Sequence, residues 1–462
     1  MKNIIIPERY KSIINKISIT AKENNFDTYA VGGFVRDLFI KRKPTDLDVV
    51  VCSKVNLATE NLVGINFSKI LADKYNLNKP VVFERFGTSK LIMDGEEVEF
   101  VMPRKEYYNM NSRNPITQIA TLKQDALRRD FTINTLFLRL KDMKVLDFTL
   151  QGIKDIKNRI IRVTDSSKSE VIFSQDPLRI LRAIRQSLQL GFKIEPTTYR
   201  AIKISAARIK IVSPERIQDE INKILIEKYP SKAFNMMEDI NLLAEIMPEV
   251  LRLKNQEQFL INYAKNNIDT SLTHTLKILD KTKNNIVLRM AVLLRGTIDT
   301  KKYNNFTNSK DFFCGDYNCK NVQNVEIILK RLKYSGEFIK KAVAIIRNYI
   351  YFKMYTKKWV DSEVRRFIKI CGKEFDLTID FLEADYCKDT NNASFIEFKK
   401  KIENLKLKNV LYPQLELFTG VELMDIFKKP AGQWIEEVKS KIEELQLKNP
   451  DITKEEAIET IK

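Results

Sequence analysis

Apolar and polar positions change period part-way along this chain. Up to about residue 150 they form short blocks closed by breakers. "YAVGG", "TDLDVVVC", "GTSKLIM", "EEVEFVM" and "VLDFT" each predict a strand, on β-branched and aromatic content. "RDFTINTLFLRL" predicts a helix leading into a strand. From about Thr164 onward the period is helical. Leu178, Leu181, Ile184 and Leu188 recur at helical spacing in "DPLRILRAIRQSLQLGF", and Gly191 marks the stop. "SPERIQDEINKIL" offers Ser213 as an N-cap and Pro214 at the first helical position. Arg216 stands where a full capping box would carry Glu or Gln. No internal repeat and no low-complexity linker interrupts the chain. The pattern predicts an α/β head followed by a long helical arm.

The densest chemistry lies in "YAVGGFVRDLFIKRKPTDLDVVV", Tyr29 to Val51. On a strand, Asp46 and Asp48 project from one face while Leu47 and Val49 point into the core. Two adjacent carboxylates repel unless a cation intervenes, and a hard divalent ion such as Mg²⁺ fits them. Gly32 and Gly33 allow close backbone approach to a phosphate before a helix that begins near Phe34, and Arg36 points at the same anion. Glu99, between apolar residues of "EEVEFV", supplies a third carboxylate. Metal ligands, a glycine turn and a cation are the parts of a phosphoryl-transfer site. A lone D-x-D has only a turn's composition; the combination at this spacing is far more specific.

Charge extends the picture. Lys+Arg is 79 against 60 Asp+Glu in 462 residues, a formal charge of +19, which favours a polyanionic partner such as nucleic acid or an anionic membrane. A Lys-, Asn- and Ile-rich composition discounts that signal. No apolar run approaches a membrane span, and "MKNIIIPERYKSII" is too quickly polar for a signal peptide, so the expectation is a soluble, cytoplasmic protein without membrane contact. Cys52, Cys314, Cys319, Cys371 and Cys387 are scattered and odd in number, as free thiols in a reducing compartment would be. "CGDYNC" has no second Cys/His pair beside it, which argues against zinc.

The Tyr29–Val51 stretch resembles the signature of the tRNA CCA-adding enzyme and bacterial poly(A) polymerase family, the class II tRNA nucleotidyltransferases. Four segments match in the family's order: "PRKEYYNMNSRNP" the flexible loop, with Arg104 and Glu106; "LRRDFTINTLF" the Arg-Arg-Asp motif, with Thr135 where alanine is usual; "QDPLRILRAIR" the nucleotide-selecting motif; "SPERIQDEINKIL" the last neck motif, with Glu215 and Arg216. "TGVELMDIFKKPAGQWIEEVKSKIEE" resembles the bacterial tail more weakly. The resemblance implies an α+β fold: a nucleotidyltransferase head with a mixed β-sheet, DNA polymerase beta-like, then an elongated all-α neck, body and tail. It implies boundaries at 1–155, 156–228, 229–355 and 356–462.

It further implies template-independent addition or repair of CCA at a tRNA 3′ end from CTP and ATP, with Mg²⁺ and two-metal chemistry. No obligate protein partner is evident, and the RNA-contacting residues are not identified. An A-adding or poly(A) relative, or a non-catalytic RNA-binding relative, stays open. A full loop segment between Glu99 and Arg128 argues against a CC-only enzyme. By the resemblance Asp46, Asp48 and Glu99 are catalytic, the first two as metal ligands. Gly32, Gly33, Arg36, Arg128, Arg129, Asp130, Asn134, Asp176, Arg179, Arg182 and Arg185 bind nucleotide.

Asp176 and Arg179, three apart, share a helix face as one acceptor and one donor. Adenine and cytosine present amine and ring nitrogen in the same order, and guanine and uracil reverse it. One Asp/Arg pair can thus accept two bases and refuse two. Gln175 replaces the family's usual Glu, and helix capping is the competing role for Asp176. "HTLKILD" and "LRMAVLLRGTIDT" resemble an HD phosphohydrolase region. Leu294-Arg295-Gly296-Thr297-Ile298 stands where that family writes Leu-His-Asp-Ile-Gly, and His274 is the one histidine. A degenerate HD-like scaffold without hydrolase activity is expected, with His274 as a packed or capping residue.

Overall fold

The computed structural model describes residues 4–53, 62–84, 87–107, 116–255, 271–298, 322–352, 359–386, 393–408, 410 and 416–462. Much of the expected flexible loop, and Cys314, Cys319 and Cys387, lie outside the described residues. The chain divides into two compact units, residues 1–224 with 232–246, and residues 225–231 with 247–462.

The first unit is built on a seven-stranded mixed sheet. Its strands are β1 (Phe26–Val31), β2 (Leu47–Ser53), β3 (Val81–Phe83), β4 (Thr88–Met93), β5 (Glu96–Val101), and, after the hairpin β6 (Arg104–Tyr107) and β7 (Ile116–Ile119), β8 (Leu136–Arg139) and β9 (Lys144–Asp147). The order across the sheet is β3-β4-β5-β2-β1-β8-β9. Only β2 and β5 run parallel; the other neighbours are antiparallel. This register forms one lateral row: Lys90 beside Glu99, Glu99 beside Asp48, Asp48 beside Val31, Val31 beside Phe137.

Helices α1 (Glu8–Glu23), α2 (Gly33–Phe39), α3 (Val63–Lys74) and α4 (Leu122–Arg128) cover this sheet. Ser89 donates to Ser68 of α3 at 2.8 Å, which marks one face of β4 as α3's side. Gly64 lets α3 close in, since a Cβ there would stand 3.1 Å from the Phe100 backbone. On the opposite face, Ala126 of α4 packs with Tyr29, Val31, Val50 and Phe137.

Strand β2 begins at Leu47, so Asp46 lies one residue before it and not on it. The turn ahead is tied down from α1: the Tyr10 hydroxyl donates to the Thr45 carbonyl at 3.1 Å, and Arg9 donates to the Pro44 carbonyl. The Tyr10 ring meets Phe34 edge-on at 5.1 Å, which links this turn to the start of α2. The helix expected in "RDFTINTLFLRL" is a single 3-10 turn, Thr132–Asn134, before β8.

Beyond the sheet come α5 (Gly152–Asn158), α6 (Ser169–Gln175), α7 (Leu178–Leu190), α8 (Pro196–Ser205) and α9 (Pro214–Leu225). Helix α7 stops at Gly191, whose φ of +66° suits glycine.

In the second unit the described residues are helical, packed on buried Tyr351, Phe367, Phe381 and Phe398. A separate small core of Phe418, Leu423, Ile442 and Ala457 closes the C-terminal helices. His274 is not a cap. It sits 3.1 Å from Asp385, which also takes Arg295 at 3.2 Å and the Tyr349 hydroxyl at 2.5 Å. Burial pushes Asp385 up, but Arg295, His274 and Tyr349 outweigh it and hold the carboxyl below the usual range. A side chain at Gly296 would come 3.0 Å from Leu253, so the position favours glycine where the HD pattern has Asp. Among the described residues no helix is long and apolar enough to cross a membrane.

Candidate active site

The end of β1 turns sharply at Gly32, with φ +67°. A Cβ there would stand 3.3 Å from Arg129 Nη1 and 3.9 Å from Asp48 Oδ2. The missing side chain lets bare backbone, a guanidinium and a carboxylate share one spot.

Asp48 is half-buried in β2 beside Glu99, while Asp46 is exposed and accepts the Thr45 hydroxyl at 3.0 Å. Burial and the Glu99 charge push Asp48 up to about 6; Arg129 and Lys90 pull it back and Asp46 adds to the rise. Negative charge is therefore in excess. Among the described residues no three carboxylates close into a full ligand cage. Asp46 lies near enough for its charge to act on Asp48, so the two offer hard oxygen donors in the same neighbourhood. That donor set fits Mg²⁺, which keeps several waters and takes phosphate oxygens.

The arginine pair is held by a carboxylate that sequence reasoning passed over. Buried Asp125 accepts Arg128 Nη2 at 2.7 Å, Arg129 Nη2 at 2.9 Å and the Arg104 backbone N–H at 3.2 Å. Burial raises its pKa, but the two arginines and the N–H outweigh that and lower it. The signal was available: Asp125 precedes the arginines by three and four residues, neighbour spacing on a helix.

Asp130 receives Arg182 through two bonds, at 2.9 and 2.7 Å, and Asn134 Nδ2 at 2.8 Å. Burial works against its charge, yet Arg182 and Asn134 hold its carboxyl well below the usual carboxylate range. Asn134 Oδ1 accepts Arg36 Nη1 at 2.9 Å, and Asp37 accepts Arg36 Nε at 2.8 Å. Arg36, expected to point at an anion, is turned into this network and buried. Arg185 is paired with buried Glu220 at 2.6 Å.

Asp176 ends α6, and Pro177 takes the N-cap position of α7. The Asp176 carboxylate faces Arg216 Nη2 at 3.4 and 3.5 Å and Arg179 Nε at 4.0 Å. Helix capping therefore does not account for it. Arg179 Nη2 donates to the Arg128 carbonyl at 2.8 Å, which ties the Asp176/Arg179 pair to the arginine motif. Gln175 is exposed. Of Arg104 the backbone is engaged here; the side chain of Glu106 lies outside the described residues.

Residues 28–162 match the family described as poly A polymerase head domain, and residues 191–253 match a probable RNA- and SrmB-binding site of polymerase A. A CCA-adding enzyme of Lactobacillus helveticus is 31% identical over 247 residues, 52% of this chain and 57% of that protein. An A-adding tRNA nucleotidyltransferase of Geobacter sulfurreducens is 30% identical over 266 residues, 56% of this chain and 28% of its own length. The chain thus spans about half or less of the curated relatives it matches. The Bacillus stearothermophilus CCA-adding enzyme, solved in complex with CTP, shares the fold over 99% of this chain and 98% of that one, with TM-score 0.67 and 18% identity.

Proposed function

We propose that this chain is a member of the CCA-adding enzyme and poly(A) polymerase family, as its matches to the head domain and to CCA-adding relatives support, and that it completes the 3′ end of tRNA by template-independent addition of nucleotides from CTP and ATP. The observation that carries this is the meeting of Gly32, Arg129 and Asp48 beside Glu99, with the Asp176/Arg179 pair tied to the same arginine motif.

In this reading Asp46 and Asp48 hold Mg²⁺. The ion supplies Lewis acidity to the phosphate oxygens when bound. The bare turn at Gly32 and Arg129 receive the triphosphate, and Asp125 keeps both arginines from swinging away. Glu99 takes the proton of the RNA 3′-hydroxyl. The 3′-oxygen then bonds the α-phosphorus, and the bond to the bridging oxygen breaks to release pyrophosphate. Arg36, Asn134, Asp130 and Arg182 act from behind, as the frame that joins α2 and the 3-10 turn to α7. The finer division into head, neck, body and tail, at 1–155, 156–228, 229–355 and 356–462, belongs to this reading. So does a cytoplasmic site of action.

The Asp176/Arg179 pair reads the base edge, with Arg216 orienting Asp176 from the neck motif. Asp176→Ala should cut CTP and ATP use together. A lost hydrogen bond to a charged group is worth about 1.5–3 kcal/mol, roughly ten- to a hundredfold in kcat/KM. Discrimination against UTP and GTP should fall in parallel. Steady-state kinetics with all four nucleotides, beside a thermal melt, check this; unchanged selectivity with a lowered melting temperature would remove Asp176 from base choice.

A further inference from the structure

Among the described residues, α4 covers the sheet face that carries Asp48 on one side. Toward β1 and β8 it lies under α4, and Val31 and Phe137 are fully buried there. Toward β4 and β3 the described residues leave much of the same face exposed, although Thr88, beside Phe83, is buried. Val81 pairs with Lys90 and Phe83 with Thr88, so Val81, Phe83, Lys90 and Ile92 all project on the side of Asp48 and Glu99. Val81 is 60% exposed, Phe83 42% and Ile92 61%. Ser89, between Thr88 and Lys90, points the other way to α3, which fixes the assignment of faces. Lys90 lies next to Glu99 in the row, and its Nζ meets Glu97 at 2.6 Å.

Phosphoryl transfer brings two substrates to the same carboxylates. Gly32 and Arg129 mark the triphosphate's side. The acceptor must then arrive from a direction that α4 leaves clear. We propose that the open β3–β4 face, through Lys90 and Phe83, seats the 3′-terminal nucleotides of the RNA acceptor. This rests on the nucleotidyltransferase reading above and adds the second substrate's seat to it. An RNA end offers phosphodiester charges and flat base faces. The Lys90 ammonium serves the first as a compact point charge when it exchanges Glu97 for a phosphate oxygen. The Phe83 ring serves the second as a stacking platform that tolerates any base, as an enzyme whose acceptor end changes with each addition requires. Val81 and Ile92 border the seat with apolar surface.

The test uses the full chain and two RNA hairpins, one with a single-stranded 3′ extension and one trimmed blunt. Wild type should bind the extended hairpin about tenfold more tightly than the blunt one, the scale of one base stacked on an aromatic ring. Phe83→Ala should erase that preference, Phe83→Tyr should keep it, and Lys90→Ala should reduce it. Affinity for ATP, measured without RNA, should stay within about twofold of wild type in each variant; loss of ATP and RNA binding together would mean a structural role and overturn the inference. A Phe83→Ala protein that keeps the full preference overturns it too, while nucleotide addition by wild type leaves the underlying reading in place. A wild-type protein that adds no nucleotide to tRNA lacking its terminal CCA overturns that reading itself.

Discussion

Asp48→Asn should abolish nucleotide addition and at the same time make the metal-free protein more stable. The first half follows from the proposed role of Asp48 as one of two carboxylates that would hold Mg²⁺. Lewis-acid stabilisation is worth several kcal/mol, on the order of 10³-fold in rate. The second half follows from the raised pKa of about 6, caused by burial and by Glu99. An unfolded Asp titrates near ~3.9, so the folded state holds its proton more tightly. Asp48 therefore favours the fold fully below about pH 4, and that contribution disappears as pH rises through about 6. Above that, ionised Asp48 destabilises the metal-free protein by roughly 2–3 kcal/mol, the equivalent of a shift of about two units. Asparagine removes the charge. Thermal melts in chelator at pH 7.5 should show a gain for Asp48→Asn that shrinks as pH falls toward 4. A variant that melts lower than wild type at pH 7.5 would contradict the crowded-carboxylate account. For catalysis, the proton competes with Mg²⁺ for Asp48, so the Mg²⁺ concentration that half-saturates wild-type activity should rise as pH drops below about 6.

Asp130→Ala should be the most destabilising single change among the site residues. It strips two bonds from Arg182 and one from Asn134, and leaves a half-buried guanidinium with only the more distant charges of Glu220 and Asp176. Breaking one partner of a fully buried pair costs about 3–5 kcal/mol, and solvent access to Arg182 brings the expected loss to roughly 2–3 kcal/mol. A urea titration should show the head's transition at a much lower midpoint with an unchanged slope. A loss under about 1 kcal/mol would mean that Arg182 finds water or another partner without penalty. The lowered pKa of Asp130 gives a stabilisation that is present above the unfolded value near ~3.9 and fades only as pH falls below it. Asp130 and Asp48 thus respond to acid in opposite senses.

Local features were legible in the sequence and long-range ones were not. The strands show in β-branched blocks, and Gly191 ends α7 where the helical period stops. The glycine turn and the paired acids are marked by their spacing. That Glu99 stands beside Asp48 depends on a parallel pairing of strands about 50 residues apart, and no local pattern sets that register. The partners of the predicted arginines are similarly remote: Arg182 finds Asp130 across 52 positions and Arg185 finds Glu220 across 35. Arg36 turns inward because Asp37 and Asn134 offer it buried acceptors. Asp46 falls off the strand because α1 holds the Pro44–Thr45 backbone in a turn. Asp125 is the exception, a local signal three and four residues before Arg128 and Arg129. His274 could not have been placed, since its partner Asp385 lies 111 positions away.

Incubating the protein with tRNA lacking its terminal CCA, with each labelled nucleoside triphosphate in turn and with all four together, in Mg²⁺, and sequencing the 3′ ends decides whether it builds CCA. The account predicts CCA completed from CTP and ATP, no growth with GTP or UTP, and no product from the Asp48→Asn protein. Runs of A on any RNA, or A added only where CC is already present, would favour the poly(A)-polymerase or A-adding alternative. No extension of any RNA by a folded wild-type protein would contradict the account altogether.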